Sequence, residues 1–180
     1  MIDEKASNDR KNIKLKFVIP LLLICLIFGI WAVKNKKRDN TLIGSYNADF
    51  ALHVTEELDI EKLKQYGVPI IIDFGADSCI PCQEMAPVLK ELNEELQGKA
   101  IIKFVDVWKY QKLANGYPVR LIPTQVLIDS NGKPFTPKKN IDMQIKIYKQ
   151  RGNDEHVFTT HEGGLTKEEM VTVLKEMGLK

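Results

Sequence analysis

The sequence predicts an α/β domain, with helices packed on a central sheet, carried behind one N-terminal transmembrane helix. Three observations predict it. From residue 48 onward, apolar strand-like runs alternate with stretches of helical period. Residues 68–74 (VPIIIDF) form a near-continuous apolar run, the pattern of a strand buried on both faces. Residues 17–33 form the longest apolar run in the chain and contain no charge.

The elements follow in order. Phe50, Leu52 and Val54 alternate as in a short strand. Asp59 to Tyr66 reads as a brief helix stopped by Gly67. After the 68–74 strand comes a turn through Gly75 and Ser78, then a helix to about Leu96 with Met85, Val88, Leu89, Leu92 and Leu96 on its core face. Residues 100–107 form a second apolar strand, 110–115 a short helix and 125–129 a third strand. Asn131-Gly132 marks a tight turn, because Asn-Gly accepts positive φ. Ile141, Met143, Ile145 and Ile147 alternate with polar residues, and 156–160 reads as a strand, so 134–161 forms an inserted hairpin region. Thr166 and Glu169 form a capping box that opens a final helix to about Met177.

Charge is distributed unevenly. The net charge of +2 conceals nine Lys/Arg against four Asp/Glu in residues 1–40, and 17 against 20 in residues 41–180. The basic excess belongs to the tail, and nothing in the balance calls for nucleic acid. As a helix, 17 residues span ~26 Å, close to a ~30 Å hydrocarbon core. Lys11, Lys14 and Lys16 precede the run and Lys34, Lys36, Lys37 and Arg38 follow it. These lysines can snorkel, and Trp31 suits an interface. A cleaved signal peptide and a lipoprotein signal at Cys25 compete. However, the run exceeds the usual apolar length of ~7–15 residues, lacks a small-x-small site, and Ile24 is bulky before Cys25. The expected organisation is a basic tail at 1–16, an anchor at 17–33, a polar linker at 34–47 and a domain at 48–180. Basic residues near the run number five before and four after, so orientation follows from the usual use of such an anchor, which places the domain outside the cytoplasm.

The chemistry centres on Cys79-Ile80-Pro81-Cys82, placed where a buried strand gives way to a helix. Free N–H groups and the dipole at a helix start favour an anion and depress a thiol pKa there. One thiolate attacks a disulfide and the second, one turn on, resolves the mixed disulfide. This geometry assigns attack to Cys79 and resolution to Cys82. Pro81 fits a first helical turn, where its missing N–H is not needed. Two other readings stand beside this one. A zinc half-site would need His156 and His161, with 73 residues between Cys82 and His156, where ~12–20 is usual. Two inert core thiols would leave the strand–turn–helix placement unexplained.

Over roughly residues 48–178 the chain resembles the thioredoxin family. The resemblance rests on Ile71-Ile72-Asp73-Phe74 before the cysteine pair, the pair itself, Met85-Ala86-Pro87 after it, residues 116–124 (GYPVRLIPT), and Glu162-Gly163-Gly164-Leu165 before the last helix. It implies a central mixed sheet flanked by helices, with the inserted hairpin before the last helix. It implies a protein thiol–disulfide oxidoreductase whose redox group is the Cys79/Cys82 disulfide, with no other cofactor and no metal. Asp73 would be the buried carboxylate that exchanges a proton with Cys82, and Lys103 the lysine beside it. Pro123 would be the cis-proline facing the disulfide, with Ile122, Ile80 and Pro81 contacting substrate. The sequence departs from the family's aromatic positions at Gly75 and Ser78, and from its basic residue at Gln83. Pro81 and Ile122 resemble the reducing members. The implied partners are protein disulfides of exported or membrane-associated proteins, a membrane electron donor and, through 17–33, lipid. A disulfide oxidase or isomerase, and a tethered binding module on the same scaffold, are the alternatives.

Overall fold

Strand β1 (Ile70–Gly75) is buried at every residue, as its apolar run requires. Around it the computed structural model describes residues 47–138 and 143–180. The expected tail, the anchor at 17–33 and nearly all of the linker lie outside these residues. Among the described residues no helix is long and apolar enough to cross a membrane.

The sheet has five strands in the order β2-β1-β3-β5-β4. Strand β2 (Ile101–Asp106) runs parallel to β1, and β3 (Thr124–Ile128) runs antiparallel to it. Strand β5 (His156–Glu162) pairs antiparallel with β3, and β4 (Ile145–Lys149) closes the far edge. The sheet is therefore mixed, as expected. The inserted region divides: β5 is an inner strand, and only β4 is an edge. Ile147 stays 48% exposed there, so the alternation of 145–147 describes a half-covered edge. Ile141 lies outside the described residues.

Helix α1 (Ile60–Lys64) is capped by the Asp59 side chain. Helix α2 (Ile80–Glu95) carries Pro87 in its interior, and α3 (Lys167–Glu176) begins at the expected capping box. The period-2 alternation of β1 divides the core. Ile71 packs on one side with Met85, Leu89 and Leu92 of α2 and Met170, Val173 and Leu174 of α3. Ile70, Ile72 and Phe74 pack on the other with Phe50, Val54 and Leu63.

The expected strand at 50–54 is not one. Ala48–Phe50 is a 3-10 turn, its first N–H groups capped by Asn47, and only His53 bridges to Phe104. The alternating Phe50 and Val54 are buried because a loop lays them on the core, without a ladder. The Asn-Gly turn forms as read: Gly132 has φ +74° and its N–H donates to Asp129 O, but pairing beyond it is limited to Ile128 and Pro134.

Both bonds of the α3 cap run through residue 166: Glu169 N donates to Thr166 Oγ1, and Thr166 N to the Glu169 carboxylate. Thr166→Ala should lower stability by about 1 kcal/mol, seen as a lower urea midpoint at unchanged m-value.

Candidate active site

Four chain segments meet at the C-terminal end of β1. The strand itself delivers Asp73 and Gly75. The loop after it turns at Ala76, whose carbonyl accepts from Cys79 N, and Cys79 caps α2 with extended φ/ψ. Gln83 N donates to Cys79 O to close the first helical turn, with Pro81 within that turn. Cys79 and Cys82 are joined as a disulfide, with Cα atoms 5.2 Å apart. Their burial differs: Cys79 keeps 9% exposure and Cys82 3%, so an incoming group meets Cys79 first.

The third segment is the approach to β3. The Ile122–Pro123 peptide is cis, and Ile122 O lies 4.0 Å from Cys79 Sγ. Ile122 packs on the small cluster of Ala76, Cys79 and Cys82. The fourth segment follows β2. Asp106, 5% exposed, accepts from the N–H groups of Asp77, Trp108 and Lys109. Burial alone would raise this carboxyl, but these donors hold it below the usual range. Lys109 adds an ion pair to Asp77, and Gln83 Nε2 donates to Asp77 O. The loop before Cys79 is thus tied to two neighbours.

Asp73 is fully buried, and desolvation raises its pKa to about 7 against the opposing pull of a hydrogen bond from Gln125. Gln125 Nε2 donates to Asp73 Oδ1 at 2.7 Å, and Oδ2 has no partner among the described residues. A methyl carbon placed on Gly75 would lie 3.2 Å from Cys82 Sγ and 3.3 Å from Asp73 Oδ2. Asp73 and Cys82 therefore face one small gap kept open by a glycine. A carboxylate there can take a proton from a buried thiol, directly or through one water.

The structure brings together Cys79, Cys82, Asp73, Ile122 and Pro123, with Ile80 exposed and Pro81 at the surface beside them. It does not bring Lys103 to Asp73. Register pairs Asp73 with Phe104 and Lys103 with Ile72, and period 2 places Lys103 on the opposite face. Its amine donates to Ala51 O at 2.7 Å and Ala48 O at 3.3 Å, and burial lowers its pKa to about 8. Phe104 is the true neighbour of Asp73, a one-residue offset that an apolar run does not reveal. Gln125 was missed because a polar residue at the start of a strand reads as a strand end. His161, named above only as a ligand of the zinc alternative, is 8% exposed and lies within β5. Trp108, 63% exposed, and Leu121, 47% exposed, were also missed.

Two consequences can be measured. The Asp73 carboxyl moves from 3.8 to about 7 on folding, so folding favours its protonated form. Stability is lost as pH rises through that window, with the full penalty above pH 7. Asp73→Asn should therefore stabilise the oxidised protein by roughly 2–4 kcal/mol at pH 8, a gain that fades toward pH 4 in denaturant titrations. Lys103→Met should cost about 1–2 kcal/mol by leaving the buried Ala51 carbonyl without a donor, while Ala48 O keeps the Ala51 N–H. It should leave the pH dependence of thiol reactivity unchanged, because the amine and Asp73 lie on opposite faces.

The family model described as Thioredoxin matches residues 50–147. A rice (Oryza sativa subsp. japonica) protein described as Thioredoxin Y, chloroplastic, is 39% identical over 74 residues, 41% of this chain and 44% of that protein. The chain thus spans less than half the length of that relative. A Thioredoxin of Rickettsia bellii is 28% identical over 104 residues, 58% of this chain and 98% of that protein. A solved mutant thioredoxin from Halobacterium salinarum is 24% identical, covering 70% of this chain and 88% of that one at a TM-score of 0.48. With more than half of its length matched by the family model, and a cysteine pair at disulfide distance on the first turn of α2, the chain belongs to the thioredoxin family.

Proposed function

We propose that this protein is a thiol–disulfide oxidoreductase that reduces disulfides of exported or membrane-associated proteins. The observation that carries the reading is the Cys79–Cys82 disulfide on the first turn of α2, with the Ile122 carbonyl 4.0 Å from Cys79 Sγ.

In the reduced protein, the Cys79 thiolate attacks a substrate disulfide. A bond forms between Cys79 Sγ and one substrate sulfur, and the other leaves as a thiolate that takes a proton from solvent. Cys82 then gives its proton to Asp73, and its thiolate attacks Cys79 Sγ. The second substrate sulfur leaves and is protonated, and the Cys79–Cys82 disulfide forms. Two electrons and two protons pass to the substrate. The difference in exposure supports this order, because a protein disulfide reaches Cys79 before Cys82.

Substrate lies across Ile80, Pro81 and Ile122, with Trp108 and Leu121 extending an exposed apolar surface from two further loops. The Ile122 backbone pairs with an extended substrate segment beside Pro123. Return to the dithiol needs a reductant, and a membrane electron-donor protein fills that part. The uncharged run of residues 17–33, with lysines on both sides, supports an anchor and a domain outside the cytoplasm.

The deciding measurement is the reduction potential of the Cys79/Cys82 couple in the full-length protein. A value near ~−270 mV is expected of a reductase, and one near ~−120 mV would make the protein a disulfide donor instead. Cys79→Ser should abolish disulfide reduction, and Cys82→Ser should trap a covalent substrate complex at Cys79 on non-reducing gels. A chain with no titrating two-electron couple would be a binding module, and the enzymatic reading would fall.

A further inference from the structure

One row of side chains crosses the sheet on the face that holds Asp73. The register places Phe104, Asp73, Gln125, His161 and Ile145 side by side on β2, β1, β3, β5 and β4. Its central members are polar and almost wholly enclosed: Asp73 and Gln125 have no exposed surface, and His161 has 8%. A buried polar row in an apolar core costs free energy unless it is fully bonded. This row is not fully bonded: among the described residues, Asp73 Oδ2, Gln125 Oε1 and His161 Nδ1 have no partners.

The bonds that do form have one direction. Gln125 Nε2 donates to Asp73 Oδ1 at 2.7 Å and to Gly163 O at 3.2 Å, with Met85 Sδ at 3.9 Å. An amide NH2 has two hydrogens to donate, and two oxygen acceptors use both. Turning the amide over would set Oε1 against a carboxylate oxygen and a carbonyl, so the donor orientation is fixed. With Oδ1 held, the unpartnered oxygen is Oδ2, and Oδ2 shares the Gly75 gap with Cys82 Sγ.

We propose that Gln125 is the positioning residue of this site, holding Asp73 by Oδ1 so that Oδ2 meets the Cys82 thiol, and favouring the ionised carboxylate that accepts its proton. The proposal rests on the dithiol–disulfide reading above and deepens it. It follows from what else surrounds Asp73. From β2 the neighbour is Phe104, and Lys103 points away. From α2 come Cys82 and Met85, and from the turn after β5 comes Leu165, whose N–H donates to Met85 Sδ. The other titratable group in the row is His161, which burial holds below its usual pKa, with Glu169 near it. Among the described residues no cation stands beside the carboxylate, so there the Gln125 amide is the one donor that stabilises its charge.

The test follows the resolving step. Reduced protein mixed with an aryl disulfide reagent releases two aryl thiolates, the first on attack by Cys79 and the second on resolution by Cys82. The second phase should weaken on the acid side as Asp73 becomes protonated. In Gln125→Leu, or in the more nearly isosteric Gln125→Met, that acid limb should move upward by about one pH unit. At the wild-type midpoint, the second phase should then slow by about fivefold, approaching tenfold farther on the acid side, with the first phase unchanged. Asp73→Asn should remove the limb, and adding Gln125→Leu to it should have no further effect on pH dependence. A folded Gln125 variant with the wild-type limb would overturn the proposal, as would a shift that persists without Asp73. In the unaltered reduced protein, the Gln125 amide resonances and the Asp73 carboxyl carbon should titrate with one midpoint by NMR. Independent midpoints would refute the coupling even if neither variant folds. A wild-type protein that shows neither phase would instead refute the oxidoreductase reading itself, and this proposal with it.

Discussion

A strand covered on both faces has no solvent side on which to place a charge, and β1 nevertheless carries Asp73 at its centre. Most of the site's character depends on that constraint. Desolvation pushes the carboxyl toward neutrality, and its environment supplies one hydrogen bond in return. A group left in this balance changes protonation near neutral pH, where a buried thiol needs a proton acceptor. The same burial makes Asp73 a burden on the fold at higher pH, so stability is given up where the chemistry is placed.

The rest of the architecture brings partners to that strand end. Parallel pairing sends the C-terminal ends of β1 and β2 in one direction, so the loops before Cys79 and around Trp108 leave side by side. Asp106 joins them through three backbone N–H groups, worth more than neutral bonds because the acceptor is charged. Antiparallel β3 begins where β1 ends, which carries Pro123 to the disulfide and Gln125 to Asp73. Gly75 completes the arrangement. A side chain there would collide with the Phe104 ring at 2.9 Å and fill the space between Asp73 and Cys82.

Much of this was legible in the sequence, for identifiable reasons. Doubly buried strands, a capping box and an Asn-Gly turn are local patterns with local causes, and each produced its element. The cysteine pair, Asp73 and Pro123 were legible because several short motifs stand in the family's order. Register was not legible. An apolar run such as residues 100–107 reads the same when shifted by one, and that shift separates Lys103 from Phe104 as the neighbour of Asp73. Gln125 and His161 were obscured for a related reason. Each is one polar residue in a strand, and its burial depends on strands distant in sequence. The 50–54 segment misled in the opposite sense, because loop side chains laid on a core can alternate without a ladder.

The chain lacks the family's aromatic residues at Gly75 and Ser78, and the structure shows what stands in their place. Removing a large side chain at 75 opens the gap that Asp73 and Cys82 share, and the Phe104 ring covers it from the neighbouring strand. The exposed aromatic surface appears instead at Trp108, on a loop that Asp106 and Lys109 join to Asp77. An indole 63% exposed on a loop whose backbone is tied to Asp106 offers a large apolar contact area. Ile80 and Leu121 present exposed apolar side chains from two further segments of the same site. The exposed aromatic surface thus lies not on the loop that carries Cys79 but on the loop beside it, and the space under the disulfide adjoins Asp73. In the proposed mechanism, substrate contact and proton handling fall to different residues, so one could change in sequence without disturbing the other.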